Sequence, residues 1–197
     1  MAALDLDLER LARTYEGEIL GAVVCGSHLW GTNRRGSDVD IMIITNDCRE
    51  GVSETTRGKY DLLLMSEDYF RQRIRDQRML QLAFLWVPEE LVIKEYGARF
   101  KDLKIKPDVL QEATEEEQAK NKRTLHELLQ QGELERAKKV IACIHRYNDF
   151  TWQLLEYGEI RDYQKHKDTY LELMRDCCSV EAVARFVEER ESFRGIM

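Results

Sequence analysis

Val23-Val24-Cys25-Gly26-Ser27-His28-Leu29-Trp30-Gly31-Thr32-Asn33-Arg34-Arg35-Gly36-Ser37-Asp38-Val39-Asp40-Ile41 is the stretch on which the fold turns. An apolar run closes on Gly-Ser, a short segment leads to Gly31, and Ser-Asp-Val-Asp opens a second apolar run. Side chains on a strand alternate with period two, so carboxylates two residues apart point to one side. Their Cα atoms lie roughly 6.6 Å apart at about 3.3 Å rise per residue. Asp38 and Asp40 can then reach one hard cation or a close pair of them. A Gly-Ser turn that runs into a helix offers backbone N–H groups and a hydroxyl to a phosphate. A phosphate grip beside a metal grip is the working end of phosphoryl or nucleotidyl transfer. The plainer alternative has Asp38 capping a turn and Asp40 exposed at a strand start; it leaves the upstream Gly-Ser unexplained.

Working outward, residues 18–25, with Ile19, Leu20, Val23 and Val24, read as a strand. Ser27 reads as the cap of a short helix over 28–33. The Ile-rich residues 39–45 predict a second strand. Residues 46–58 are polar with two glycines and read as a loop. Residues 59–65 read as the third strand. Ser66-Glu67-Asp68 ahead of Tyr69, Phe70 and Ile74 marks a helix start capped by Ser66. A buried helix over 79–86 follows, broken by Pro88, with an edge strand over 90–95. At the other end, Leu4, Leu6, Leu8, Leu11 and Tyr15 predict a first helix over 4–16.

From about residue 109 the character changes to Leu, Glu, Lys, Arg and Ala. Leu125, Leu128 and Leu129 mark one amphipathic helix, ended by Gly132. A second runs from Ala137 to Leu155 and ends at Gly158. Residues 163–178 and 180–193 supply two more. Such helices need one another to bury their apolar stripes. The expected class is α/β (α+β): a small mixed sheet flanked by helices over residues 1–108, then an all-helical bundle over 109–197.

Composition narrows the function. The 197 residues carry a net charge of −7, so the strongly basic footprint of a long-nucleic-acid binder is missing. The basic clusters at 101–106, 120–123 and 136–139 read as solvated helix faces. Five cysteines without a Cys-x-x-Cys pair argue against a zinc knuckle and for free thiols in a reducing compartment. The start is acidic and amphipathic, unlike a cationic signal peptide. No apolar run approaches the roughly 18 residues of a membrane span. A cytoplasmic protein is expected, with no membrane partner.

Gly26-Ser27, then Gly31, then Ser37-Asp38-Val39-Asp40 resembles the signature of the DNA polymerase beta-like nucleotidyltransferases. Asp61, in Lys59-Tyr60-Asp61-Leu62-Leu63-Leu64-Met65-Ser66, stands where that family carries a third carboxylate. The closest likeness is to a bacterial and phage subgroup of predicted nucleotidyltransferases. It is firmest over residues 19–66, softer to about residue 95 and thin beyond.

The resemblance implies a small mixed nucleotidyltransferase sheet and a metal-dependent enzyme. That enzyme moves a nucleoside monophosphate from a triphosphate to an acceptor hydroxyl and releases pyrophosphate. It implies Asp38, Asp40 and Asp61 as metal ligands for Mg²⁺ or Mn²⁺, with Asp61 the general base. Gly26 and Ser27 would hold the triphosphate. Arg35, beside Arg34, would neutralise phosphate charge, although a solvated turn explains both arginines equally well. ATP is the expected nucleotide; the acceptor is an RNA end, a protein or a small molecule. In the subgroup a His and an Arg lie on the helix against the catalytic half, which would make His145 and Arg146 nucleotide contacts. The rival is a non-catalytic nucleotide-binding module, regulatory or part of a toxin-antitoxin pair. A broken carboxylate set would mark it, and the set here is complete.

Overall fold

The structure, a computed structural model, describes residue 15, residues 17–48 and residues 51–189. The helix expected over 4–16 lies, but for Tyr15, outside them, as does the tail of the one expected over 180–193. The elements run β1 (Ile19–Val24), α1 (Gly26–Leu29), β2 (Val39–Thr45), β3 (Val52–Arg57), β4 (Tyr60–Ser66), α2 (Glu67–Arg75), α3 (Met79–Phe84) and β5 (Val92–Lys94). Then follow α4 (Pro107–Gln130), α5 (Leu134–Tyr157), α6 (Lys167–Asp176) and α7 (Val180–Glu188). The chain divides into two compact units, Met1–Lys104 and Ile105–Met197. Among the described residues no helix is long and apolar enough to cross a membrane.

The first unit is a five-stranded mixed sheet in the order β3-β4-β2-β1-β5. β2 and β4 run parallel; the other neighbours are antiparallel. β2 occupies the middle because Ile41, Ile43 and Ile44, all fully buried, give it apolar side chains for both faces. One core layer gathers Ile19, Val24, Ile41, Ile43, Tyr60 and Leu62. Another forms around Phe70 of α2, whose ring lies 5.1 Å from Phe84 and 5.8 Å from Tyr96. Ser66 caps α2 as expected, its Oγ accepting from the Tyr69 N–H at 3.1 Å. β5 pairs with β1 and forms one edge of the sheet.

Three local expectations are corrected. Residues 46–58 are not all loop: Val52–Arg57 form β3, the opposite edge, so the strand begun near residue 59 is the fourth. β3 buries neither face, and its side chains are half-buried or exposed. It therefore carries no apolar alternation to betray it. The short helix ends at Leu29 rather than about residue 33, and Cys25, not Ser27, holds its N-cap position. Gly26 and Gly31, at φ +58° and +65°, bound it on both sides. The Ser27 carbonyl accepts instead from the N–H groups of Thr32 and Asn33, at 2.9 and 3.1 Å.

The second unit is helical, packing Leu125, Leu128, Ile141, Leu173, Val183 and Phe186 into one cluster. α5 ends at Gly158 in the left-handed region, φ +75°. The third helix starts at Lys167, not at residue 163. The intervening segment is tied back to α5 by Gln153. Its Oε1 accepts from the N–H groups of Arg161 and Asp162 at 2.8 and 3.0 Å, and its Nε2 donates to the Asp162 carbonyl at 3.0 Å. Backbone groups so engaged do not propagate a helix.

Candidate active site

The β1–α1 turn and the start of β2 are built against each other. The Cys25 N–H donates to the Asp40 carbonyl at 2.8 Å. Gly26 sits at φ +58°, and a Cβ on it would lie 1.7 Å from Asp40 Oδ2. The position thus excludes a side chain for two reasons, backbone conformation and the carboxylate seated on it. The Ser27 backbone amide favours the charged form of that carboxylate.

Asp40 and Asp61 are register partners across the parallel β2–β4 pair, on strands about 4.8 Å apart. Both line one cleft of about 630 Å³. Burial pushes the Asp40 carboxyl above the ordinary range, the Asp61 charge adds to this, and the Ser27 N–H and His28 partly offset it. On the far side of Asp61, the Thr56 hydroxyl of β3 donates to Asp61 Oδ1 at 2.7 Å. Trp30, Met42, Leu63 and Leu80 give the cleft an apolar wall, and Glu54 of β3 joins them.

Of the carboxylates the sequence singles out, the structure brings Asp40 and Asp61 together. Asp38 lies one residue before β2, exposed, and is not among the lining residues; it acts on Asp40 through charge. Arg34 and Arg35 are exposed in a turn that closes through Ser37, whose Oγ accepts from the Arg34 N–H at 2.8 Å. Arg35 is not a lining residue either. Among the described residues no group of three or more His, Cys, Asp or Glu side chains is arranged to hold a metal ion. The Asp40–Asp61 pair nevertheless suits a hard divalent cation. Burial, then the like charge of Asp61 on the adjacent strand, holds the Asp40 carboxyl above its usual range, and a cation that prefers oxygen donors reverses that cost.

Two neighbours are poor chemical actors. Burial, then the Asp40 charge, pushes the Cys25 thiol up to about 12, so it is no thiolate nucleophile at neutral pH. His28 has its pKa lowered by burial, against the pull of Asp40, and its buried Nε2 has no hydrogen-bond partner. In the second unit His145 is buried on α5, its ring 4.2 Å from that of His166, and Arg146 lies over the Tyr170 ring at 5.7 Å.

Thr56, Glu54, Trp30 and Leu80 are cleft residues that sequence reasoning missed. A signal for the first two was present. Thr55 and Thr56 are β-branched, and Arg57-Gly58-Lys59 is a turn ahead of an apolar strand, which together spell a hairpin.

The family model described as a nucleotidyltransferase domain matches residues 8–172. A solved structure titled as a nucleotidyltransferase-like protein from Exiguobacterium sibiricum 255-15 is similar at 14% identity, covering 91% of this chain and 68% of that one, with a TM-score of 0.33. No curated protein matches.

Proposed function

The chain belongs to the nucleotidyltransferase domain family, and we propose that it transfers a nucleoside monophosphate from a triphosphate, ATP foremost, to an acceptor hydroxyl. The carrying observation is the register pair Asp40–Asp61 over one cleft, with Gly26-Ser27 seated against it. Asp40 and Asp61, with Asp38 at the strand entry, would hold Mg²⁺ or Mn²⁺. A divalent ion, when bound, neutralises phosphate charge and steadies the leaving group. The Ser27 hydroxyl and the turn backbone contact the triphosphate, and Arg35 adds positive charge. Asp61 takes the proton from the acceptor hydroxyl as its oxygen bonds to the α-phosphorus. The bond to the β-phosphate bridging oxygen breaks, and pyrophosphate departs. The acceptor is an RNA 3′ end, a protein side chain or a small molecule. Free thiols at all five cysteines suit the cytoplasm.

The test is transfer of label from each α-³²P nucleoside triphosphate, with Mg²⁺, into an extract of the host. Asp61→Asn should reduce transfer by about 10²–10⁴-fold, the range for a lost general base, while leaving most nucleotide binding. Full transfer by the variant overturns the reading. One observation favours a second reading, a nucleotide-binding regulatory module: Asp38 stands outside the cleft and no three-carboxylate cluster is assembled among the described residues. A parent protein that binds nucleotide but labels nothing in its own extract would establish that module.

A further inference from the structure

Asp61 stands between two unlike neighbours. On β2 its register partner is Asp40, a like charge. On β3 its register partner is Thr56, whose hydroxyl donates to Asp61 Oδ1 at 2.7 Å. The terminal torsion of an Asp side chain is broad and twofold, so nothing intrinsic fixes the plane of the carboxylate. Repulsion from Asp40 favours turning it away. A hydrogen bond to one named oxygen opposes that turn and distinguishes the two oxygens: Thr56 engages Oδ1 and not Oδ2. Thr56 is itself a lining residue and belongs to an edge strand whose one sheet neighbour among the described residues is β4. The edge strand thus brings a donor to the carboxylate from the side opposite Asp40.

We propose that Thr56 is a positioning residue for Asp61, its hydroxyl holding the carboxylate plane so that Oδ2 faces the acceptor hydroxyl. This rests on Asp61 being the proton acceptor of the reaction proposed above. Thr56→Val keeps the β-branched shape that an edge strand favours and removes only the donor. Thr56→Ser keeps the donor and removes the methyl group.

With the full-length protein, α-³²P-ATP, Mg²⁺ and host extract, Thr56→Val should lower kcat by about 10- to 100-fold, the usual cost of losing a group that orients a working ligand. KM for ATP should stay within about 2-fold, because a ground-state contact to the triphosphate is not removed. Thr56→Ser should recover most of the rate. A readout independent of turnover is the Asp61 ¹³Cγ resonance in aspartate-labelled protein, assigned by its loss in Asp61→Asn. It should move in Thr56→Val and return in Thr56→Ser. An unmoved resonance, or full kcat in Thr56→Val, overturns the inference. If Asp61→Asn is inactive in that same assay, the proposed reaction stands without it. Full transfer by Asp61→Asn instead defeats the reaction and leaves the resonance to report the hydrogen bond alone. Failure of Thr56→Ser to recover the rate would assign the effect to packing and overturn the role of the hydroxyl.

Discussion

At the scale of single residues, the site depends on contacts that tolerate little change. Gly26→Ala should be among the costliest small substitutions in the first unit. It places a Cβ 1.7 Å from Asp40 Oδ2 at a φ of +58°. The backbone cost is about 1–2 kcal/mol, and the carboxylate must also move. We expect a lowered denaturation midpoint together with a large loss of transfer; unchanged values for both would mean that the turn is built differently. Gly26 and Asp40 stand out in the sequence through the Gly-Ser and Asp-x-Asp spacing that phosphate and cation chemistry asks for, and Asp61 only through its likeness to the family's third carboxylate. The hairpin signal could place Thr56 and Glu54 on a strand but not at the site, since a threonine and a glutamate in a polar stretch carry no chemistry until a partner strand puts them beside a carboxylate.

Among the elements, β2 and β3 are opposites. Ile43 in β2 is fully buried, whereas Val52 in β3 is 39% exposed. Ile43→Ala should cost about 2–5 kcal/mol, the range for emptying a core position. Val52→Ala should fall within about 0.5 kcal/mol of the parent, as surface changes do. Urea denaturation of both variants decides this; equal losses would contradict the assigned burial. β2 announced itself through its Ile-rich run. β3 has no such run, because an edge strand with one face exposed and the other only half-buried needs no apolar period. The helix expected from residue 163 began later because one glutamine side chain, Gln153, competes for backbone groups near 161 and 162. Local pattern does not record such long-range ties.

The whole molecule has an acid-sensitive side. His145 is held down to about 4 by burial and by the charges of His166, Arg146 and Lys165, against the pull of Asp149. Its folded pKa lies below the unfolded one of about 6.5, so the unfolded chain takes up the proton first. Stability should therefore fall as pH drops from about 6.5 toward 4. His28 acts in the same direction in the first unit. Burial alone would raise the Asp149 carboxyl, but bonds from His166, Lys165 and Gln153 outweigh it and hold it at about 2. Its contribution is present above the ordinary carboxylate pKa and is lost as pH falls from there through about 2. Urea midpoints at pH 7.5 and 5 test this: a drop is expected, with a shallower one in His145→Gln, and a flat profile would refute it. ATP binding should likewise weaken when EDTA is present, because the Asp40–Asp61 pair repels phosphates unless a cation lies between them; calorimetry showing equal affinity would refute that. The helical character of the second unit was plain from 3.6-residue periodicity. Its part in the chemistry was not, because periodicity reports burial and not ligands.

The seat of Asp40 on Gly26 also restricts how this sequence can drift. A side chain at position 26 meets an oxygen only while position 40 keeps its carboxylate. In an Asp40→Ala background, Gly26→Ala would no longer meet the carboxylate but would still meet the Cβ of position 40 at 2.8 Å, beside its backbone cost, so the two changes are epistatic and their order matters. Losing the carboxylate first lowers the later cost of losing the glycine; the reverse order meets the full clash. Glycine at 26 is thus held most tightly in descendants in which position 40 is still a carboxylate.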